Sequence, residues 1–217
     1  MSKIIVIGGG PAGMFAAIAA AETSASNEVI LLEKNEKLGK KLFITGKGRC
    51  NITNASDMED LFSNVMSNAK FLYSAFYSYD NMRVIDFFEQ NGLRTKVERG
   101  NRVFPISDHS SDVIATLQKV LKEKKVKVML HTQVQSLLME SSGEDAPENI
   151  VTGVKLTDGT TMPADAVIIA TGGFSYQTTG STGDGYRFAK EAGHTVTDIR
   201  PSLVPFLAKE DYVRQMQ

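Results

Sequence analysis

Residues 3–24 read KIIVIGGGPAGMFAAIAAAETS, and the fold turns on how this stretch divides. From Ile4 to Ala21 it carries no charge over 18 residues, whereas a membrane span needs about 20 predominantly apolar ones. Length alone decides nothing here. The interior does: Gly8, Gly9, Gly10 and Pro11 interrupt the run after Ile4–Ile7, so no continuous apolar helix or export-signal core forms. The β-branched run Ile4–Ile7 suits a strand buried on both faces, and the Ala-rich sequence from Met14 onward favours a helix. The glycines between them fall as Gly8-x-Gly10-x-x-Gly13. The first allows a tight turn, the second lets the backbone approach a pyrophosphate, and the third lets the helix pack against the strand. Amides of the first helical turn then face the phosphates.

A glycine fingerprint alone is a weak signal, so its context matters. The next apolar run, EVILLEK over residues 28–34, ends in Glu33, 20 residues after Gly13. A carboxylate at that distance can accept a hydrogen bond from an adenosine ribose hydroxyl. Strand, turn, helix and acid agree on a dinucleotide-binding βαβ unit.

Composition fits an α/β enzyme domain: of 217 residues, 42% are hydrophobic and 23% charged. The net charge of −1 provides no basic field for nucleic acid. A single cysteine, Cys50, excludes an internal disulfide and a CxxC redox pair within the chain. No metal site, membrane segment or export signal is read, so the expected location is cytoplasmic.

The segment KNEKLGKKLFITGKGRCNITN, residues 34–54, is rich in lysine and in loop-forming glycine and asparagine. It directly follows the ribose-binding acid and reads as a ligand-facing loop whose amides line an anion site. Arg49, Cys50 and Asn51 are the residues expected nearest a reactive ring. From Met58 to Asn91 the pattern is helical, with Phe71, Leu72, Ala75 and Phe76, then Val84, Ile85, Phe87 and Phe88, at helical spacing. These apolar stripes are expected in the core. GLRTKVERGNRVFPIS reads as two strands about a turn at Gly100 and Asn101, with Arg102, Phe104 and Pro105 available to wall a pocket. Asp112–Lys124 reads as a helix and VKVMLHTQV as a strand.

After Val134 the segments VQSLLME, NIVTGVKLTDG and TTMPADAV predict an antiparallel meander, with TDGT as a hairpin signal. AVIIATGGFSY then gives an apolar strand ending at Ala170, Thr171, Gly172 and Gly173, a second strand-to-glycine turn. Two such turns predict adjacent strand ends lining one crevice at the carboxyl edge of a sheet. STGDGYRFAKEAGHTV predicts a glycine turn, a helix from about Gly185 to Ala192, and a further strand.

Together IGGGPAGM, LGKKLFITGKGRCNITN, NRVFPIS, VIIATGGFSY, TGDGYRFAKEAGH and PSLVPF resemble the HI0933-like flavoproteins over essentially the whole chain. GRCNITN and PSLVPF carry that resemblance more specifically than the glycine fingerprint does. The resemblance implies an FAD-binding domain. In it Gly8, Gly10, Pro11, Ala12 and Gly13 would hold the pyrophosphate and Glu33 the adenosine ribose. Lys34, Lys40 and Lys41 would lie along the cofactor, and Gly48, Arg49, Cys50 and Asn51 close to the flavin. Val134 would meet the adenine side through its backbone, and Ala170, Thr171 and Gly172 would lie against the cofactor. Related loops often read GGGRCN, where Lys47 here replaces the middle glycine.

The expected architecture is therefore a Rossmann-like parallel sheet with helices on both faces plus an antiparallel β-meander. The expected function is FAD-dependent hydride transfer to or from a small organic substrate, with NADH or NADPH as an available electron donor. An NAD(P)-dependent dehydrogenase, a flavoprotein acting on RNA and a non-catalytic FAD-binding domain remain alternatives. No catalytic acid or base is assigned; of His109, His131 and His194, His109 lies nearest the expected pocket strand. Family members run to about twice this length and return to complete the FAD site. Residues 1–200 are accordingly expected to form an incomplete FAD-binding domain, with 201–217 a linker or the start of a second domain. Leu203, Val204, Phe206 and Leu207 in that ending are apolar and cannot bury themselves in a short tail.

Overall fold

A computed structural model describes residues 1–141, 149–201 and 203. Its centre is a parallel sheet in which β1 (Lys3–Ile7) lies between β2 (Glu28–Leu32) and β10 (Ala166–Ile169), with β6 (Lys127–Met129) beyond β2. Side chains alternate across this sheet as strand geometry requires. Val6, Val29 and Leu31 face one core with Met14, Ala17 and Ile18 of α1 (Pro11–Thr23) and Val113, Leu117, Val120 and Leu121 of α6 (Ser110–Glu123). Ile5, Ile7, Ile30 and Leu32 face the other. That second face is covered by the antiparallel meander β7 (Val134–Ser141), β8 (Asn149–Leu156) and β9 (Thr161–Pro163), together with Phe188 of α7 (Asp184–Glu191). Near-continuous apolar strands without polar alternation are what a sheet buried on both sides demands.

The chain leaves β1 through α1 into β2, and returns by β10 to the opposite flank of β1. The carboxyl ends of β1 and β10 therefore flank a point where strand order reverses, the place at which open α/β sheets bind ligands.

A smaller antiparallel sheet, β3 (Thr53–Asn54), β5 (Arg102–Pro105) and β4 (Thr95–Glu98), lies apart from the parallel one. The hairpin turn at Gly100 and Asn101 is as the sequence predicts; β3, within GRCNITN, carries no strand signal and was not expected. The lysine-rich segment folds into a short α2 (Lys40–Ile44) and a 3-10 turn over Thr45–Gly48.

The helical reading of 58–91 holds, and two other expectations are corrected. The helical stretch 58–91 is three helices, α3 (Met58–Ser63), α4 (Ala69–Ser78) and α5 (Asn81–Gln90). Of these only α5 contributes to the core, through Ile85 and Phe88; α3 and α4 bury no residue, and Phe71 is 85% exposed. The aromatics of α3 and α4 satisfy one another instead, Phe62 packing on Tyr73, Phe76 and Tyr77 at centroid separations of 4.5, 5.3 and 6.1 Å. Finally, among the described residues no strand follows α7: residues 194–201 join no ladder, and without one the β-propensity of HTVTDI has nothing to pair with. The expected boundary over 201–217, with Val204, Phe206 and Leu207, lies outside the described residues apart from 201 and 203.

Candidate functional site

A cavity of about 630 Å³ opens at the carboxyl ends of β1 and β10. Each strand ends in a glycine turn for a steric reason. Gly8 has φ +110°, and a Cβ there would stand 2.4 Å from the Ala170 carbonyl oxygen, so the two turns touch through backbone alone. A Cβ on Gly13 would lie 1.8 Å from the Gly8 carbonyl oxygen, which fixes how closely α1 packs on the turn. Gly10 differs: a Cβ there would meet nothing within 4 Å, because this position faces the open cleft.

Gly10 is the N-cap of α1 and no side chain caps the helix. Pro11 follows without an N–H, and the first intrahelical bond runs from Met14 N to Gly10 O at 2.9 Å. The amides ahead of it lack intrahelical partners and, with the helix dipole, favour an anion at this end.

Glu33, 7% exposed, extends from the end of β2 into the same cleft. Its Oε2 accepts the Gly9 amide at 2.6 Å; its Oε1 accepts the backbone and side-chain amides of Asn35 at 2.8 and 2.7 Å. Two oxygens offer about four acceptor positions, so three chain donors leave room for a further one.

The three predicted lysines all line the cleft but differ in partners. Lys34 pairs with Asp184 at 2.7 Å and donates to Thr182 Oγ1 at 2.7 Å. Lys40 pairs with Glu36 at 3.3 Å. Lys41 donates to Ser175 Oγ at 3.2 Å and pairs with no carboxylate among the described residues. Partial burial pulls the Lys41 ammonium below its ordinary value of 10.5. On the wall from β10, Thr171 Oγ1 is buried without a hydrogen-bond partner among the described residues.

Twelve predicted residues are thus brought together: Gly8, Gly10, Pro11, Ala12, Glu33, Lys34, Lys40, Lys41, Val134, Ala170, Thr171 and Gly172 all line the cleft. Gly13 packs immediately behind. Gly48, Arg49, Cys50 and Asn51 are not among the lining residues. Arg49 reaches to the smaller sheet instead. Its guanidinium bonds Asp108 at 2.8 Å and Glu98, and stacks 4.2 Å from the Phe104 ring. Lys96 joins the group at 2.6 Å from Asp108. These contacts hold Glu98, mainly through Arg49, and Asp108, mainly through Lys96, below the usual carboxylate range, and raise both cations. Cys50 is fully buried, and burial pushes its thiol up despite a hydrogen bond with Thr45. Of the expected pocket walls, Phe104 and Pro105 are buried in the smaller sheet and Arg102 is exposed, and none of the three lines the cleft.

Sequence reasoning missed Asn35, the segment Thr179–Ser181 and His194, all of which border the cleft. The glycines at 180, 183 and 185 were the signal for that segment. Nothing in the sequence singles out His194 over His109, which is exposed at the N-cap of α6.

The arrangement suits an elongated ligand with a central anionic group, and the comparisons agree with that fold. The chain is 35% identical over 97% of its length to a 3-dehydro-bile acid delta(4,6)-reductase of Clostridium scindens. It is 27% identical over 98% of its length to a ribosomal RNA dihydrouridine synthase of Escherichia coli. It covers 48% and 50% of those proteins, and so spans about half the length of the curated relatives it matches. Among solved structures, 3-ketosteroid delta1-dehydrogenase from Sterolibacterium denitrificans shares the fold at a TM-score of 0.65 and 17% identity, covering 88% of this chain and 55% of that one. The family profile described as HI0933-like protein Rossmann domain matches residues 2–201, and the chain belongs to the HI0933-like family.

Proposed function

We propose that this chain is the FAD-binding part of an oxidoreductase that passes a hydride through the flavin to or from a small organic molecule. The observation that carries the reading is the pair of glycine turns on adjacent parallel strands, facing one cleft with the uncapped N-terminus of α1. The residues present fit the cofactor. Gly10 leaves open space beside free amides, Lys41 has no carboxylate partner among the described residues, and Thr171 Oγ1 is a buried hydroxyl in need of one.

Each residue's part follows from its chemistry. Gly10, Ala12 and Gly13 offer amides to the pyrophosphate, and Lys41 offsets its charge. Glu33 accepts from the adenosine ribose through its remaining lone pair. Val134 and Ala170–Gly172 wall the cofactor and exclude water. FAD itself, when bound, supplies a ring able to take up and release a hydride. We place residues 1–200 as the cofactor-binding unit, with NADH or NADPH as the electron donor. The 35% relative is named for a bile acid and the 27% relative for ribosomal RNA; the net charge of −1 in this chain supports a small-molecule substrate.

An absorption spectrum tests this. FAD titrated with the purified protein should show saturable perturbation of its flavin bands, which should bleach on anaerobic addition of NADH or NADPH. Retention of nicotinamide nucleotide with no affinity for FAD would overturn the reading in favour of a dehydrogenase.

A further inference from the structure

Two residues beyond the ribose-binding acid, Asn35 sits at a junction that the family fingerprint leaves unassigned. Its backbone N and Nδ2 both donate to Glu33 Oε1, at 2.8 and 2.7 Å. Nδ2 also donates to the Thr179 carbonyl on the opposite wall at 3.2 Å, and Oδ1 accepts from Lys40 Nζ at 3.4 Å. The Asn35 carbonyl accepts the His131 amide at 3.0 Å, which anchors the residue to the loop after β6. The space over the amide is shaped for it: Gly180 has φ +96°, and a Cβ there would stand 2.6 Å from Nδ2.

A carboxylate on a flexible side chain turns about its final torsion unless both oxygens are engaged. Gly9 N takes Oε2 and Asn35 takes Oε1, so the plane of the Glu33 carboxylate is set from two sides. We propose that Asn35 is a positioning residue for nucleotide binding. It fixes the orientation in which Glu33 presents its remaining lone pair to the ligand, and ties that carboxylate to the Thr179–Gly180 wall. The inference rests on the FAD reading above and adds to it a residue that acts through Glu33.

A double-mutant cycle on FAD dissociation constants separates this from a general structural role. Wild type, Asn35→Ala, Glu33→Ala and the double variant are titrated with FAD, and the melting temperature of each is measured without ligand. Asn35→Ala should weaken FAD binding by about tenfold in the wild-type background and by less than about twofold in the Glu33→Ala background. Asn35→Asp, which swaps the donor for a second carboxylate, should weaken it further and serves as the second variant if Asn35→Ala does not fold. Equal losses in both backgrounds, or Asn35→Ala with wild-type affinity, would overturn the positioning role while leaving FAD binding intact. A wild-type protein that does not bind FAD would overturn the FAD reading and this inference with it.

Discussion

At the scale of single residues, the glycine fingerprint divides into two kinds of glycine that the sequence writes with one letter. Gly8 and Gly13 are glycines because backbone already occupies the space of a side chain, whereas Gly10 faces open cleft. Only at the last does the protein itself leave room for a side chain, so the FAD reading predicts that a bound pyrophosphate is what a larger residue would meet. Cys50 shows the opposite divergence. Its place in the specific motif GRCNITN suggested proximity to a reactive ring, yet its side chain is fully buried in the apolar core that also holds Leu38, Phe88 and Val113. Burial raises its pKa, so the reactive thiolate is scarce at neutral pH. A thiol-labelling reagent should therefore react with the native protein far more slowly than with the unfolded one. Cys50→Ser should keep any reductase activity within about tenfold. Rapid labelling of the native protein, or loss of activity with FAD still bound, would assign the thiol a chemical role.

The elements were legible in proportion to how far local pattern determined them. β1, α1, β2 and the meander carry strong periodicity and turn signals, and appear where the sequence places them. Helical spacing in 58–91 was equally clear, but spacing reports that a face is apolar and not what covers it. Hence Phe88 lies in the core while Phe71, on a comparable stripe, is exposed. The charge group around β4 was not legible at all, since Arg49, Lys96, Glu98 and Asp108 meet only through tertiary structure. It makes a prediction of sign. Glu98 and Asp108 have folded-state pKa values below their ordinary 4.5 and 3.8. Their stabilisation is fully present above those ordinary values and is lost as pH falls through the lowered ones. Melting temperatures across the acid range should fall less steeply in Glu98→Gln/Asp108→Asn than in wild type, and salt should reduce the difference. Parallel curves would mean that the group adds nothing to the acid response.

For the whole molecule, the sequence located the cleft correctly because a switch point follows from strand order, and two strand-to-glycine turns are readable in a single chain. Within the lysine-rich segment Lys40 and Lys41 line that cleft, as the family resemblance implies, while Arg49 is bound to Glu98 and Asp108, 49 and 59 residues later in the chain. The far wall from Thr179 to Tyr186 carried only its glycines as a signal, and is brought in by Lys34 and Asn35 reaching across to Asp184 and Thr179. The central claim is that FAD binds where β1 and β10 end, against the N-terminus of α1. An FAD titration of wild type and Gly10→Val, both checked for folding by circular dichroism, tests it most directly. The account predicts saturable binding to wild type and none to a folded Gly10→Val, whose side chain fills the space left for the pyrophosphate. Wild-type affinity in folded Gly10→Val would contradict it.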